Sequence, residues 1–190
     1  MRLNYKIILA SNSPRRKELL KGLDIDFDVR IIPDIDETFP LDLKPFDIPC
    51  YIACKKADKY KDSMRSDELI ITADTVVVLD DCILEKPSDR DSAIHMIKRL
   101  SGRKHQVITA VVMTTIDKTK DFSVISTVDF TELTDDEIEY YVDKYKPYDK
   151  AGAYGIQEWI GYIGVKGIEG SFYNVMGLPI QRLYQELKKF

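Results

Sequence analysis

Histidine, cysteine and tryptophan are scarce in this 190-residue chain, which holds two, three and one of them. The histidines, His95 and His105, stand apart from the cysteines in sequence, so no zinc site of the usual His and Cys spacings is expected. Cys50, Cys54 and Cys82 form an odd set without a metal-type pairing. On a shared helix Cys50 and Cys54 would sit one turn apart, too far for a good disulfide, so all three are read as reduced thiols. Positive charge is not in excess: 28 Lys and Arg face 32 Asp and Glu, for a net charge of -4. A broad basic surface for nucleic acid is therefore not expected, and an anionic ligand must be met by a local group of cations. Neither a Walker loop nor the dinucleotide glycine fingerprint occurs, which leaves arginine and lysine to hold any phosphate. Met1 to Tyr5 leads straight into a strand-like stretch with neither a signal-peptide core nor a spanning segment, so the expected location is the cytoplasm, away from membranes. Repeats and low-complexity tracts are also missing.

What is present is the composition of a globular protein, 44% hydrophobic and 32% charged, with enough residues for one domain over 1–190. Lys6 to Ala10 reads as a buried strand. Ser13 then suits a helix N-cap and Pro14 the first helical position, with Leu19, Leu20 and Leu23 on the inner face. Phe27 to Ile31 alternates as a second strand. A loop punctuated by Pro33, Pro40, Pro45 and Pro49 leads into a helix from about Pro49 to Ser63. Leu69 to Leu79 is apolar on both faces, as in a central strand covered on each side by helices. Ser88 is expected to cap the next helix, which carries Ala93, Ile94, Ile97 and Leu100 inward and stops at Gly102. Val107–Val112 and Ser123–Phe130 read as strands, and Thr134 with Glu137 forms a capping box for a helix through Tyr145. A glycine-rich region precedes a last amphipathic helix with Ile180, Leu183, Tyr184 and Leu187. Alternating elements followed by clustered strands predict an α/β fold with a mixed sheet flanked by helices.

Two features stand out chemically. Ser11-Asn-Ser-Pro-Arg-Arg16 falls between a strand and a helix, where unpaired N–H groups favour anions and two arginines would grip phosphate in a bidentate manner. Two cations in a first turn oppose the helix dipole, so stability alone does not account for them. The competing explanation is a solvated charged turn. Asp74, followed by Thr75, sits within the apolar strand, although aspartate is depleted from strands and a buried carboxylate is costly unless paired or metal-bound. A strand ending in an acid is a common ligand position in α/β folds, against the alternative of an aspartate bonded to a neighbouring loop. Glu37, Lys56 and Lys86 are dispersed and individually read as surface charges. Together they provide the cations and hard oxygens that a triphosphate and a magnesium-like ion require. His95 is expected to be peripheral and His105 a polar boundary residue. Tyr140, Tyr141 and Tyr145 read as helix packing, and Trp159 lines either a base pocket or an interface.

These segments in this order resemble the Maf-type nucleotide pyrophosphatases. The resemblance is carried by Leu9-Ala-Ser-Asn-Ser-Pro-Arg-Arg16, Asp36-Glu37-Thr38, Lys56-Ala57, Ala73-Asp74-Thr75-Val76-Val77, Glu85-Lys86-Pro87, and Ser101-Gly102-Arg103 with His105 to Thr109. It continues through Asp149-Lys150-Ala151-Gly152-Ala153-Tyr154-Gly155-Ile156-Gln157, Glu169-Gly170-Ser171 and Asn174-Val175-Met176-Gly177-Leu178-Pro179. It implies an elongated mixed sheet with helices, in two lobes around a central cleft, and hydrolysis between the α and β phosphates of a nucleoside triphosphate with a divalent metal, Mg2+ or Mn2+. By position, Asp74 resembles the catalytic carboxylate. Arg15, Thr75 and Gln157 fall at specificity positions, Ser11, Arg16, Lys56 and Lys86 at phosphate-contacting ones, and Glu37 with Asp74 at the metal.

The Ser-Pro-Arg-Arg form and the Ala-Gly-Ala-Tyr-Gly-Ile-Gln segment resemble the branch acting on dTTP and UTP, a house-cleaning role in nucleotide metabolism. Homodimers are common in the family. One departure is Glu158, where the family usually has glycine, followed by the bulky Trp159; both would reshape a base pocket. Asp74 either deprotonates the attacking water or holds the metal that activates it. The rival expectations are a non-catalytic nucleotide-binding regulator of septum formation and a pyrophosphatase for a modified purine nucleotide such as 7-methyl-GTP.

Overall fold

The apolar run around Asp74 forms a single strand of 12 residues. In the computed structural model, which describes residues 4–190, that strand is buried at every position except Asp74 and Thr75. The elements in chain order are β1 (Lys6–Leu9), α1 (Pro14–Lys21), β2 (Phe27–Val29), α2 (Ile48–Asp58), β3 (Glu68–Leu79), β4 (Cys82–Leu84) and α3 (Arg90–Leu100). There follow β5 (Lys104–Thr114), β6 (Thr119–Phe130), α4 (Asp135–Tyr145), α5 (Trp159–Gly164), β7 (Val165–Glu169), α6 (Phe172–Val175) and α7 (Ile180–Leu187). The sheet has seven strands in the order β2-β1-β3-β5-β6-β7, with β4 paired to β3. It is mixed: β1 runs parallel to β2 and β3, while β4 and β7 run antiparallel to β3 and β6. The α/β class expected from the sequence is therefore observed. No helix among the described residues is long and apolar enough to cross a membrane. The expectation placed on Met1–Leu3 lies outside the described residues.

Chain contacts separate two compact units. The first comprises the chain up to Asp74 with Thr109–Val124 and Gly177–Phe190. Ile8 and Ile70 pack there on Tyr60, whose ring is buried. The Tyr60 hydroxyl donates to Arg30 O at 2.9 Å and accepts from Ile32 N at 3.1 Å, so burial leaves no phenolic group unpaired. Small residues elsewhere in the unit, Ala53 and Ala57 on α2, pack against Ala110 and Val112 of β5. Glu68 is fully buried and tolerable there because Arg30 grips both its oxygens and Arg65 N donates to it at 3.1 Å. Those hydrogen bonds, Arg30 foremost, hold its carboxyl below the usual carboxylate range.

The second unit comprises Thr75–Ile108 and Ile125–Met176. Its core joins Val77 and Leu79 with Ile97 and Leu100 of α3, Phe130 of β6, and Ile138, Tyr141 and Val142 of α4. The capping box at α4 forms as the sequence pattern predicts: Thr134 accepts from Glu137 N while Glu137 reaches back to Thr134 N. Arg90 ties α3 to α4 through Glu139 and Asp143.

Several expectations shift. The cap of α3 is Asp89, not Ser88; the Asp89 carboxylate accepts from Ser92 N at 2.8 Å, and the Ser88 hydroxyl donates to Asp89 instead. Gly102 does stop α3 as expected, following the C-cap Ser101 with a positive φ. The helix expected from Pro49 to Ser63 breaks after Asp58, and Lys61–Ser63 forms a separate 3-10 turn. Leu23 lies beyond α1. β2 stops at Val29, whereas β5 and β6 extend further than their apolar segments. The glycine-rich region is not irregular throughout, since it contains α5, β7 and α6. His105 is not a boundary residue: it is 2% exposed, 2.7 Å from the Tyr154 hydroxyl through Nε2, and edge-on to Phe130.

Candidate active site

Six of the residues singled out from the sequence, Ser11, Arg15, Arg16, Glu37, Lys56 and Asp74, lie in the first unit. Ser13 caps α1 as expected, its Oγ accepting from Arg16 N at 3.4 Å, with Pro14 starting the helix. That cap fixes where the first-turn arginines project. Ser11, 8% exposed, accepts from Ser13 N at 3.2 Å and from Arg16 Nη1 at 3.5 Å. Arg16 also donates through Nε to Gly177 O at 2.7 Å and through Nη1 to Ala73 O at 2.9 Å. Its guanidinium is thereby anchored to the backbone immediately before Asp74. Burial pulls Arg16 below the usual arginine value, and the neighbouring Arg15 acts in the same direction; Asp74 and Glu37 act against both.

Lys56 joins the two carboxylates. Its ammonium lies 2.8 Å from Asp74 Oδ1 and 2.9 Å from Glu37 Oε1. The Lys56 and Asp74 side chains are each 13% exposed, so the pair is held away from bulk water, while Glu37 is more open. Lys56 stands in the last turn of α2, where a cation also complements the helix dipole. Its neighbour Lys55 was missed by the sequence analysis. Lys55 Nζ donates to Asp36 Oδ2 at 2.6 Å and to Thr38 O at 3.0 Å, so Lys55 braces the two residues flanking Glu37 while the adjacent Lys56 holds Glu37 itself. Asp36 in turn accepts from Thr38 N at 2.9 Å, and these contacts, Lys55 first, hold its carboxyl well below the usual carboxylate range. The only forewarning was the Lys-Lys doublet itself, since nothing in the spacing pairs Lys55 with Asp36.

The remaining expected residues lie in the second unit. Thr75 follows Asp74 on β3 and is half-buried. Lys86 is exposed in the connection from β4 to α3, where the preceding Glu85 O accepts from Gly152 N at 3.1 Å. Gln157 occupies a turn closed by Glu158 N donating to Gly155 O at 2.9 Å. Its side-chain Oε1 is buried without a hydrogen-bond partner. Trp159 starts α5 and packs edge-on against Tyr140. Cys50 and Cys54 are free thiols, with Cys50 Sγ 3.5 Å from Asp121 Oδ2. Burial, aided by Cys54 and Asp121, pushes the Cys50 thiol up to about 12, which makes it a poor nucleophile. His95 is exposed, as expected.

The sequence profile described as Maf-like protein matches residues 6–190. The chain belongs to the Maf family. A Parabacteroides distasonis protein named dTTP/UTP pyrophosphatase is 62% identical over 186 residues, covering 98% of this chain and 96% of the relative. A Phocaeicola vulgatus protein of the same name is 60% identical over 185 residues, 97% of this chain and 96% of the relative. Among solved structures, a HAM1 protein from Coxiella burnetii superposes with a TM-score of 0.50 at 12% identity, covering 98% of this chain and all of that one. The Maf fold is therefore the frame in which Asp74, Lys56 and Glu37 meet.

A divalent cation fits this donor set in a limited way. Among the described residues no three His, Cys, Asp or Glu side chains cluster as a metal cage. Glu37 and Asp74 nonetheless converge on one cation, the Lys56 ammonium, and offer carboxylate oxygen alone. Magnesium-like ions commonly take one or two carboxylates and complete their shell with water and substrate phosphate.

Proposed function

We propose that this chain is a nucleoside triphosphate pyrophosphatase that converts dTTP and UTP to the monophosphate and pyrophosphate. The observation that carries the reading is the Asp74 carboxylate, set at the one break in burial along β3 and fixed by Lys56 beside Glu37. The two relatives named dTTP/UTP pyrophosphatase, each at least 60% identical over nearly the whole chain, support the same chemistry.

In this reaction a water oxygen bonds to the α-phosphorus while the bond from that phosphorus to the bridging oxygen breaks. Pyrophosphate departs with the electron pair, and the water loses a proton. Asp74 orients the water and accepts its proton, a role worth about 10²–10⁴ in rate. Ser11, Arg15, Arg16, Lys56 and Lys86 bind the phosphates and neutralise the charge that develops on the leaving group. The Ala73 and Gly177 carbonyls preset the Arg16 fork, so little side-chain freedom remains to be lost on binding. Glu37 and Asp74 would hold Mg2+ or Mn2+, which supplies Lewis-acid neutralisation of phosphate oxygens when bound.

Arg15, Thr75 and Gln157 set preference. The unpartnered Gln157 oxygen suits a base that offers a donor. Set against N3, that oxygen would accept N3–H from uracil or thymine but face an acceptor in cytosine, so it would favour the first two. The cytoplasm suits a protein with three free thiols.

The test is pyrophosphate release from UTP, dTTP, CTP and 7-methyl-GTP, with magnesium or manganese, in water labelled with heavy oxygen. UTP and dTTP should react fastest, with the label in the monophosphate. Binding without release would favour a regulator. Preference for 7-methyl-GTP, or label in the pyrophosphate, would replace the substrate or the point of attack.

A further inference from the structure

Gln157 is held in place by groups that have no role in the chemistry above. The turn Gly155–Glu158 is closed by its own backbone bond, and both ends meet one phenol. The Tyr141 hydroxyl accepts from Gly155 N at 3.0 Å and donates to Glu158 Oε2 in a short contact. The other Glu158 oxygen lies 3.2 Å from Lys150 Nζ, and Lys150 is itself only 8% exposed. Glu158 stands at the N-cap of α5 but does not cap that helix. Its carboxylate folds back over Gly155 instead, where an added Cβ would lie 2.7 Å from Glu158 Cδ. From the other side the α-carbon of Gly161 presses on the Ile156 carbonyl, since a Cβ there would fall 1.8 Å from that oxygen. Ile156 and Gln157, the two central residues of the turn, are thus fixed from three directions. A buried amide oxygen without a partner persists only where its surroundings over-determine its position, and this clamp does so.

We propose that Tyr141, Glu158 and Lys150 are positioning residues that hold the Gln157 amide in the orientation that selects uracil and thymine over cytosine. This rests on the preceding assignment of Gln157 to the base. The phenol remains a donor: burial, strengthened by the Glu158 acceptor, pushes Tyr141 above its ordinary value.

The experiment compares kcat and KM for UTP and CTP in the wild type, Tyr141→Phe, Glu158→Ala and Glu158→Gln, each checked for a cooperative thermal transition. Tyr141→Phe and Glu158→Ala should lower the UTP-to-CTP ratio of kcat/KM by about 10- to 100-fold, the scale expected when a binding group is misplaced by about 1 Å. The loss should fall mainly on KM for UTP. Glu158→Gln keeps an acceptor for the phenol and should recover part of the ratio. Folded variants that keep the wild-type ratio would overturn the clamp, and if Tyr141→Phe does not fold, the two Glu158 variants decide. A wild type that neither binds nor cleaves UTP would instead overturn the reading of Gln157, and the clamp's role with it.

Discussion

Replacing Lys56 with methionine removes an ammonium that touches both Asp74 and Glu37 while keeping most of the side chain's volume. A hydrogen bond to a charged group contributes about 1.5–3 kcal/mol net, and the Asp74 contact, sheltered at both ends, belongs in that range. The Glu37 contact is discounted to below about 1 kcal/mol because that carboxylate is 44% exposed. Lys56→Met should therefore destabilise the chain by about 1.5–4 kcal/mol. Much of that loss comes from leaving the Asp74 charge without its partner, so neutralising the aspartate should recover it. In a double-mutant cycle with Asp74→Asn, urea unfolding followed by circular dichroism should give a coupling of about 1–2 kcal/mol, with the double variant more stable than the sum of the single losses. A coupling below about 0.3 kcal/mol, the scatter of independent sites, would refute the argument that Lys56 holds the carboxylate in place.

Two remaining predictions concern acid. Burial lowers the His105 imidazole to about 4, so the unfolded chain binds its proton more readily than the folded one as pH falls below the ordinary value of 6.5. The stability present above pH 6.5 should then be lost progressively between about pH 6.5 and 4, by up to roughly 3 kcal/mol in all; urea midpoints unchanged across that range would contradict it. His105→Gln keeps a polar partner for the Tyr154 hydroxyl but cannot titrate, so it should flatten this slope while lowering stability at neutral pH. An equally steep acid slope in the variant would move the effect to other groups.

The parts of the structure legible in the sequence were those fixed by local chemistry. Ser13-Pro14 gave a cap and a first turn, Thr134 with Glu137 gave a capping box, and the two-sided apolar run gave β3 with its polar interruption at Asp74. Long-range pairing was not legible. Lys56 and Asp74 are 18 positions apart, and Arg16 reaches a carbonyl 161 positions away. No periodicity links such residues, and only the ordered family motifs suggested that they belong together. Asp89 displaced Ser88 as a cap because both types suit that position and the backbone turn decides between them. His105 looked like a strand-edge polar residue because its partners, Tyr154 and Phe130, come from distant segments. The elements within the glycine-rich region were hidden for a different reason. α5 needs Gly161 where it packs on a carbonyl, so a residue that usually argues against a helix is required within one.

The most direct measurement is pyrophosphate produced per minute from UTP by wild type and Asp74→Asn at matched, saturating nucleotide. The charge-to-amide change preserves shape and a hydrogen-bond acceptor for Lys56, so the chain should still fold, with the lost charge showing as reduced stability, and bind UTP with an affinity close to wild type while turnover falls by about 10²–10⁴-fold. Turnover above half the wild-type value would mean that the reaction does not depend on this carboxylate.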